Sequence, residues 1–138
     1  MGDLSRSLSR YEIACPDGCG EDSHDPEQVA ILQKTVDHFQ ILYPEMNVGI
    51  HITSGNRCYT YNSNTEGASD TSKHVKNMAD DFFLYDKDTG NYINGKRIHE
   101  DEVADYLEKE YPDKYGIGRY NGRTHLDCRP WKARWDMR

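Results

Sequence analysis

Apolar side chains return at helical spacing along one long segment. Val29, Leu32, Val36, Phe39 and Tyr43 predict a helix of about 18 residues that buries one face against a sheet. Its start is written in Asp25-Pro26-Glu27-Gln28: a capping aspartate, proline at the first helical position and an amide three residues past the cap. Pro44 ends it. A second helical stretch runs from Glu100 to Tyr111, with Val103, Tyr106, Leu107 and Glu110 at helical intervals. Between them, Asn47 to Thr53 reads as a strand and Met78 to Tyr85 as a buried strand, followed by a turn over Asp86-Lys87-Asp88-Thr89-Gly90-Asn91. Tyr115 to Tyr120 and Thr124 to Arg129 read as strands paired about Asn121-Gly122, a dipeptide suited to tight hairpin turns. Residues 1–24 read as irregular, with a tight turn over Cys15-Pro16-Asp17-Gly18-Cys19-Gly20, and Asn62 to Thr71 as a polar loop.

Helices and strands in this order predict an α+β fold: an antiparallel sheet packed with two main helices, in a single domain over residues 1–138. A chain of 138 residues supports one modest core. With a formal net charge of −7 it lacks the basic footprint of a nucleic-acid binder and gains no attraction to an anionic membrane. No apolar run approaches the roughly 18–20 residues of a membrane span. The amino terminus has no basic-then-apolar secretory design, so the chain is expected in the cytoplasm of its producing cell, leaving by lysis, and as a monomer.

The chemistry concentrates in two places. Ser72-Lys73-His74-Val75-Lys76-Asn77-Met78-Ala79-Asp80-Asp81 carries a histidine and an aspartate seven residues apart, and Thr124-His125-Leu126-Asp127 supplies a second histidine. Two imidazoles and one carboxylate, His74, Asp81 and His125, are a donor set for a zinc ion that leaves a coordination position open to water. Such a site lowers the pKa of water from about 15.7 toward about 7 and polarises a carbonyl, so convergence of the three would make this chain a hydrolase. Asp80, one residue before Asp81 on the same strand, should point to the other face. His24, His38, His51 and His99 fit no motif and are read as packed or surface residues. Cys15, Cys19, Cys58 and Cys128 are compatible with two disulfides, a structural zinc or four thiols; reduced thiols are expected in the producing cell.

Ser72-x-His74-x(4)-Ala79-x-Asp81 resembles the Ser-x-His-x-x-Gly-x-Ala-x-Asp motif of zinc D-Ala-D-Ala carboxypeptidases and dipeptidases, and His125-Leu126-Asp127 their later His-x-Asp or His-x-Glu strand. Ser54-Gly55-Asn56-Arg57-Cys58 with Asn62 and Gly67, the opening Leu8 to Cys15 and the ending Arg129 to Trp135 resemble the small, often phage-encoded branch. The resemblance implies a fold shared with endolysin peptidases and the hedgehog domain, and zinc on His74, Asp81 and His125. It also implies Arg57 on a substrate carboxylate or carbonyl, and Ser72 as a substrate-binding hydroxyl.

Two positions depart from the pattern. Asn77 stands where the motif has glycine, so the backbone there either takes an unusual conformation that asparagine tolerates or simply differs from the pattern. Where several relatives place a carboxylate three residues before the last histidine, this chain has Gly122. Asp127 is the substitute expected as general base, since strand residues two apart share a face at about 6–7 Å; the alternative is a carboxylate that orients a ligand. The reading is a zinc peptidase acting on peptidoglycan stem peptides, of the D-Ala-D-Ala carboxypeptidase or lytic endopeptidase type, released by lysis or carried on a phage particle. Its rival is a non-catalytic zinc-containing domain that binds a wall peptide or a protein.

Overall fold

The computed structural model describes residues 2–15, 23–56 and 77–138. Among them are three helices, α1 (Arg10–Ile13), α2 (Pro26–Leu42) and α3 (Glu100–Glu110). Five strands, β1 (Val48–Ser54), β2 (Ala79–Asp86), β3 (Gly116–Tyr120), β4 (Arg123–Asp127) and β5 (Ala133–Asp136), form one sheet in the order β1-β2-β4-β3-β5.

The long helix begins where its sequence says. Asp25 accepts hydrogen bonds from the amides of Glu27 and Gln28, Pro26 occupies the first turn, and Tyr43 caps the other end. Val29, Leu32, Val36 and Phe39 are buried in the core, as their spacing requires. The amide of Gln28 does not turn back to the cap. It enters the core and donates to Asp80 Oδ2 (2.9 Å) and to the carbonyl of Leu126 (2.8 Å). Helix α3 is capped by His99, whose Nδ1 accepts from the amide of Asp101, and is tied to β3 by Arg119, which meets Asp101, Asp105 and Glu108.

The strands pair with a register that sorts the residues by face. Ile50 lies opposite Leu84 and Ile52 opposite Phe82, while Leu126 lies opposite Ile117; all are core residues on the helix side. His51 lies opposite Phe83, and Asp81 opposite His125, on the other side. Each antiparallel pair follows from a chain reversal, including the two-residue turn at Asn121-Gly122.

Two expectations need correction. The sheet is mixed rather than antiparallel throughout, because β5 runs parallel to β3. β4 is flanked by β2 and β3, so the chain leaving it passes to the near free edge, that of β3, and one further reversal makes it parallel there. The N-terminal stretch is also more ordered than its polar sequence implies. Ser5 and Leu8 form a bridge, Glu12 accepts from the Ser9 amide at the head of α1, and Leu8 and Ile13 are fully buried.

Asn77, the departure from the glycine motif, has φ +58°, in the left-handed region that asparagine tolerates better than other residues with a Cβ. Its carbonyl accepts from the amide of Asp25, which joins the entry to β2 to the start of α2. Asn77→Gly should therefore keep the stability of the parent, whereas Asn77→Ala should lose about 1 kcal/mol. Urea unfolding midpoints of the two variants check this.

Candidate metal centre

Asp81 and His125 are cross-strand partners on β2 and β4, and the register sets them side by side on the sheet face away from the helices. His125 Nδ1 lies 2.9 Å from Asp81 Oδ1. Its other nitrogen, Nε2, lies 2.7 Å from Asp127 Oδ2, two residues along the same strand. Asp127 is fully buried, and Arg129 closes on it from the far side, with Nε 2.6 Å from Oδ1 and Nη2 2.7 Å from Oδ2. Asp81, His125, Asp127 and Arg129 thus form one line of charge. Asp80 points to the opposite face, as strand alternation requires.

Three features of the neighbouring strands make room for this line. A Cβ at Gly116 would fall 2.3 Å from Asp127 Oδ2, and one at Gly118 2.3 Å from Trp135 Nε1, so both side chains lie directly over β3 backbone. The Trp135 ring packs against His125 with centroids 4.9 Å apart, and its Nε1 donates to the Tyr120 hydroxyl. On the other flank the β1–β2 pairing is irregular between Ile52 and Ser54, and the Thr53 hydroxyl donates to the carbonyl of Asp81.

The electrostatics follow from burial and pairing. Burial alone would lower the pKa of His125, but hydrogen bonds to Asp127 and Asp81 and their charges outweigh it, so the imidazole is pushed up to about 9. Burial would raise that of Asp127, but His125 and Arg129 hold its carboxyl far below the usual carboxylate range.

Of the residues singled out from the sequence, Asp81, His125 and Asp127 are brought together. His74, Ser72 and Arg57, like Cys19 and Cys58, lie outside the described residues. The donor chemistry of the pair that is described suits zinc. Two ligands at about 2.0–2.2 Å in a tetrahedral site sit about 3.3–3.6 Å apart, so this hydrogen-bonded pair at 2.9 Å would part by about half an ångström to hold an ion. The second ring nitrogen on a buried carboxylate is the usual support of a metal-binding histidine.

Another group of potential donors, Asp25, Glu27 and Cys128, lies at the head of α2 within 4.8 Å of one another. Its atoms are already engaged: Asp25 caps the helix and Tyr115 donates to Glu27. The Cys128 thiol is pushed up to about 12 by burial and these two carboxylates.

Arg129, Trp135, His24 and Gln28 were not legible as parts of this region. Arg129 could have been suspected, since it sits two residues beyond Asp127 and shares its face. His24 could not: it is 56 residues from its partner Asp80. Two other histidines have packing roles, with His51 stacked on Tyr92 and His38 on Tyr106.

A pH dependence follows for the metal-free protein. The folded-state pKa of His125 lies above its unfolded value of 6.5, so its contribution to stability is complete below about pH 6.5. That contribution should fade as pH rises through about 9. Thermal melts of chelator-treated protein between these limits should show a falling Tm, and a Tm that instead rises would refute the assignment.

Comparison with known families adds the identity. No curated protein and no solved structure matches the chain. The model of the family described as Peptidase M15 matches residues 6–127, a span that begins before α1 and ends on Asp127. Covering most of the chain and every residue of the cross-strand pair, the match shows that this protein belongs to the zinc D-Ala-D-Ala carboxypeptidase-like peptidase M15 family, a family of metallopeptidases.

Proposed function

We propose that this chain is a zinc-dependent peptidase that cleaves a peptide bond in peptidoglycan stem peptides, as a D-Ala-D-Ala carboxypeptidase or a lytic endopeptidase. The observation that carries the reading is the 2.9 Å approach of His125 Nδ1 to Asp81 Oδ1 in a metallopeptidase chain. His74 is the third proposed ligand, supplied by the segment before β2. A zinc ion held by these three would supply Lewis acidity for a carbonyl oxygen and acidify water near neutral pH.

The surrounding residues prepare that chemistry. Asp127 accepts the Nε2 proton of His125, which fixes the ring and leaves Nδ1 aimed at Asp81. Arg129 keeps Asp127 ionised, and Trp135 packs against the imidazole. Both Asp127 oxygens are occupied by Arg129 and His125, so its geometry supports the orienting role over that of a general base. Arg57 and Ser72 are proposed to bind the substrate carboxylate and backbone, a task for which a planar guanidinium fork is well shaped.

One observation favours the rival reading of a non-catalytic zinc domain that binds a wall peptide or a protein. The position at which relatives carry a base is Gly122, in the β3–β4 turn, and Asp127 is committed to His125. Incubation with peptidoglycan fragments, read by mass spectrometry, separates the two and identifies the bond.

Loss of activity and of zinc should coincide in His74→Ala, Asp81→Ala and His125→Ala; a metal-free, fully active variant would refute the site. Asp127→Asn should weaken zinc binding by about 10–100-fold, as expected for a residue that orients a ligand. If zinc affinity stays at the parental value while kcat collapses, Asp127 is the general base instead.

A further inference from the structure

Behind the metal centre, on the helix side of the sheet, a second polar cluster lies in the core. The Asp80 carboxylate is fully buried, as is the His24 side chain, and His24 Nε2 lies 2.7 Å from Asp80 Oδ2. Gln28 reaches the same oxygen from α2 and also donates to the Leu126 carbonyl. His24 Nδ1 lies 2.8 Å from Asn56 Oδ1. The Asn56 amide is oriented by its own Nδ2, which donates to the Ser23 carbonyl at 2.6 Å. Both ring nitrogens of His24 therefore face oxygen acceptors, which requires a proton on each and makes the ring an imidazolium paired with the Asp80 carboxylate.

Such a pair is a costly way to fill a core. Desolvating two ions costs several kcal/mol each, and well-packed apolar residues of similar volume generally stabilise as well or better. The position of this one is informative. Asp80 directly precedes Asp81, Leu126 directly follows His125, and Asn56 directly precedes Arg57. Asp80, Leu126 and Asn56 are thus each one peptide bond from a proposed zinc or substrate residue, and His24 and Gln28 tie them together from the segment before α2 and from α2 itself.

We propose that His24, Gln28, Asn56 and Asp80 form a positioning device that sets the β2–β4 register from behind, holding Asp81 and His125 in place for zinc. This deepens the zinc reading above and rests on it. The device acts through backbone alone: Asp80 and Asp81 share a strand but face opposite ways, so a shift of one moves the other. Zinc geometry is demanding, with ligand distances held to about 0.2 Å, and small displacements of β2 against β4 are felt at the ion.

The test is zinc affinity, measured by competition with a chromophoric chelator, beside the Tm of each metal-free protein. His24→Ala removes the imidazolium. Gln28→Met conserves volume and removes Gln28 Oε1, a buried acceptor with no hydrogen-bond partner, but it also takes the Gln28 donors from Asp80 and Leu126, so its Tm is read beside its zinc affinity. Val36→Ala, on the buried face of α2, is the control for a plain loss of core packing. Zinc affinity should fall by about 10–100-fold in His24→Ala and by at least about threefold in Gln28→Met, yet stay within about twofold of the parent in Val36→Ala. Folded His24→Ala or Gln28→Met protein binding zinc within about twofold of the parent overturns the proposal, as does an equal loss in Val36→Ala. If His24→Ala does not fold, Gln28→Met decides. A parent chain that binds no zinc overturns the underlying metal reading, an outcome distinct from parental binding with unaffected variants.

Discussion

Everything at this site depends on the register between β2 and β4. Asp81 meets His125 because those residues are opposite each other in an antiparallel ladder, with their side chains on one face. A slip of β2 by a single residue would turn Asp81 to the helix side and bring Asp80 out in its place. The structure spends much of its polar chemistry on preventing that slip. Thr53 bonds the Asp81 carbonyl from β1, and Gln28 bonds both Asp80 and Leu126 from α2.

The consecutive aspartates of β2 show how a strand serves two environments at once. Asp81 lies in a polar line that ends on Arg129, where charge alternates along the row Asp81, His125, Asp127, Arg129. Asp80 faces the core and can remain there because His24 and Gln28 answer its charge. One strand thereby couples the hydrophobic side of the sheet to its chemical side. The apolar neighbours Phe82 and Leu84 keep the same alternation and bind the strand to α2 and β1 through the core.

The carboxyl-terminal strand completes the site in a way that depends on what is missing. Gly116 and Gly118 have no side chains, so Asp127 and Trp135 can cross the surface of β3. Trp135 then covers His125, and Arg129 lies within cation–π reach of both Trp131 and Trp135 at 5.9 and 5.5 Å. Aromatic cover of this kind lowers the local dielectric and strengthens every charge pairing beneath it.

Much of this was legible from the residues alone. Periodicity located α2, α3 and four of the five strands, Asp25-Pro26 marked the start of α2, and strand alternation sent Asp80 and Asp81 to opposite faces. The asparagine-for-glycine departure left two backbones open at Asn77, and its φ of +58° is the unusual one that asparagine tolerates. These features obey rules that reach only a few residues along the chain. The parallel strand β5 was hidden because Ala133 to Asp136 is short and only partly buried, and its place depends on which sheet edge was still open. Gln28 was read as a capping amide, since nothing nearby in sequence reveals a buried carboxylate 52 residues away. For the same reason the partnership of His24 with Asp80, and the closing of Arg129 and His125 on Asp127, were decided by tertiary structure: they are set by which backbones pair and which charges are left in the core without water.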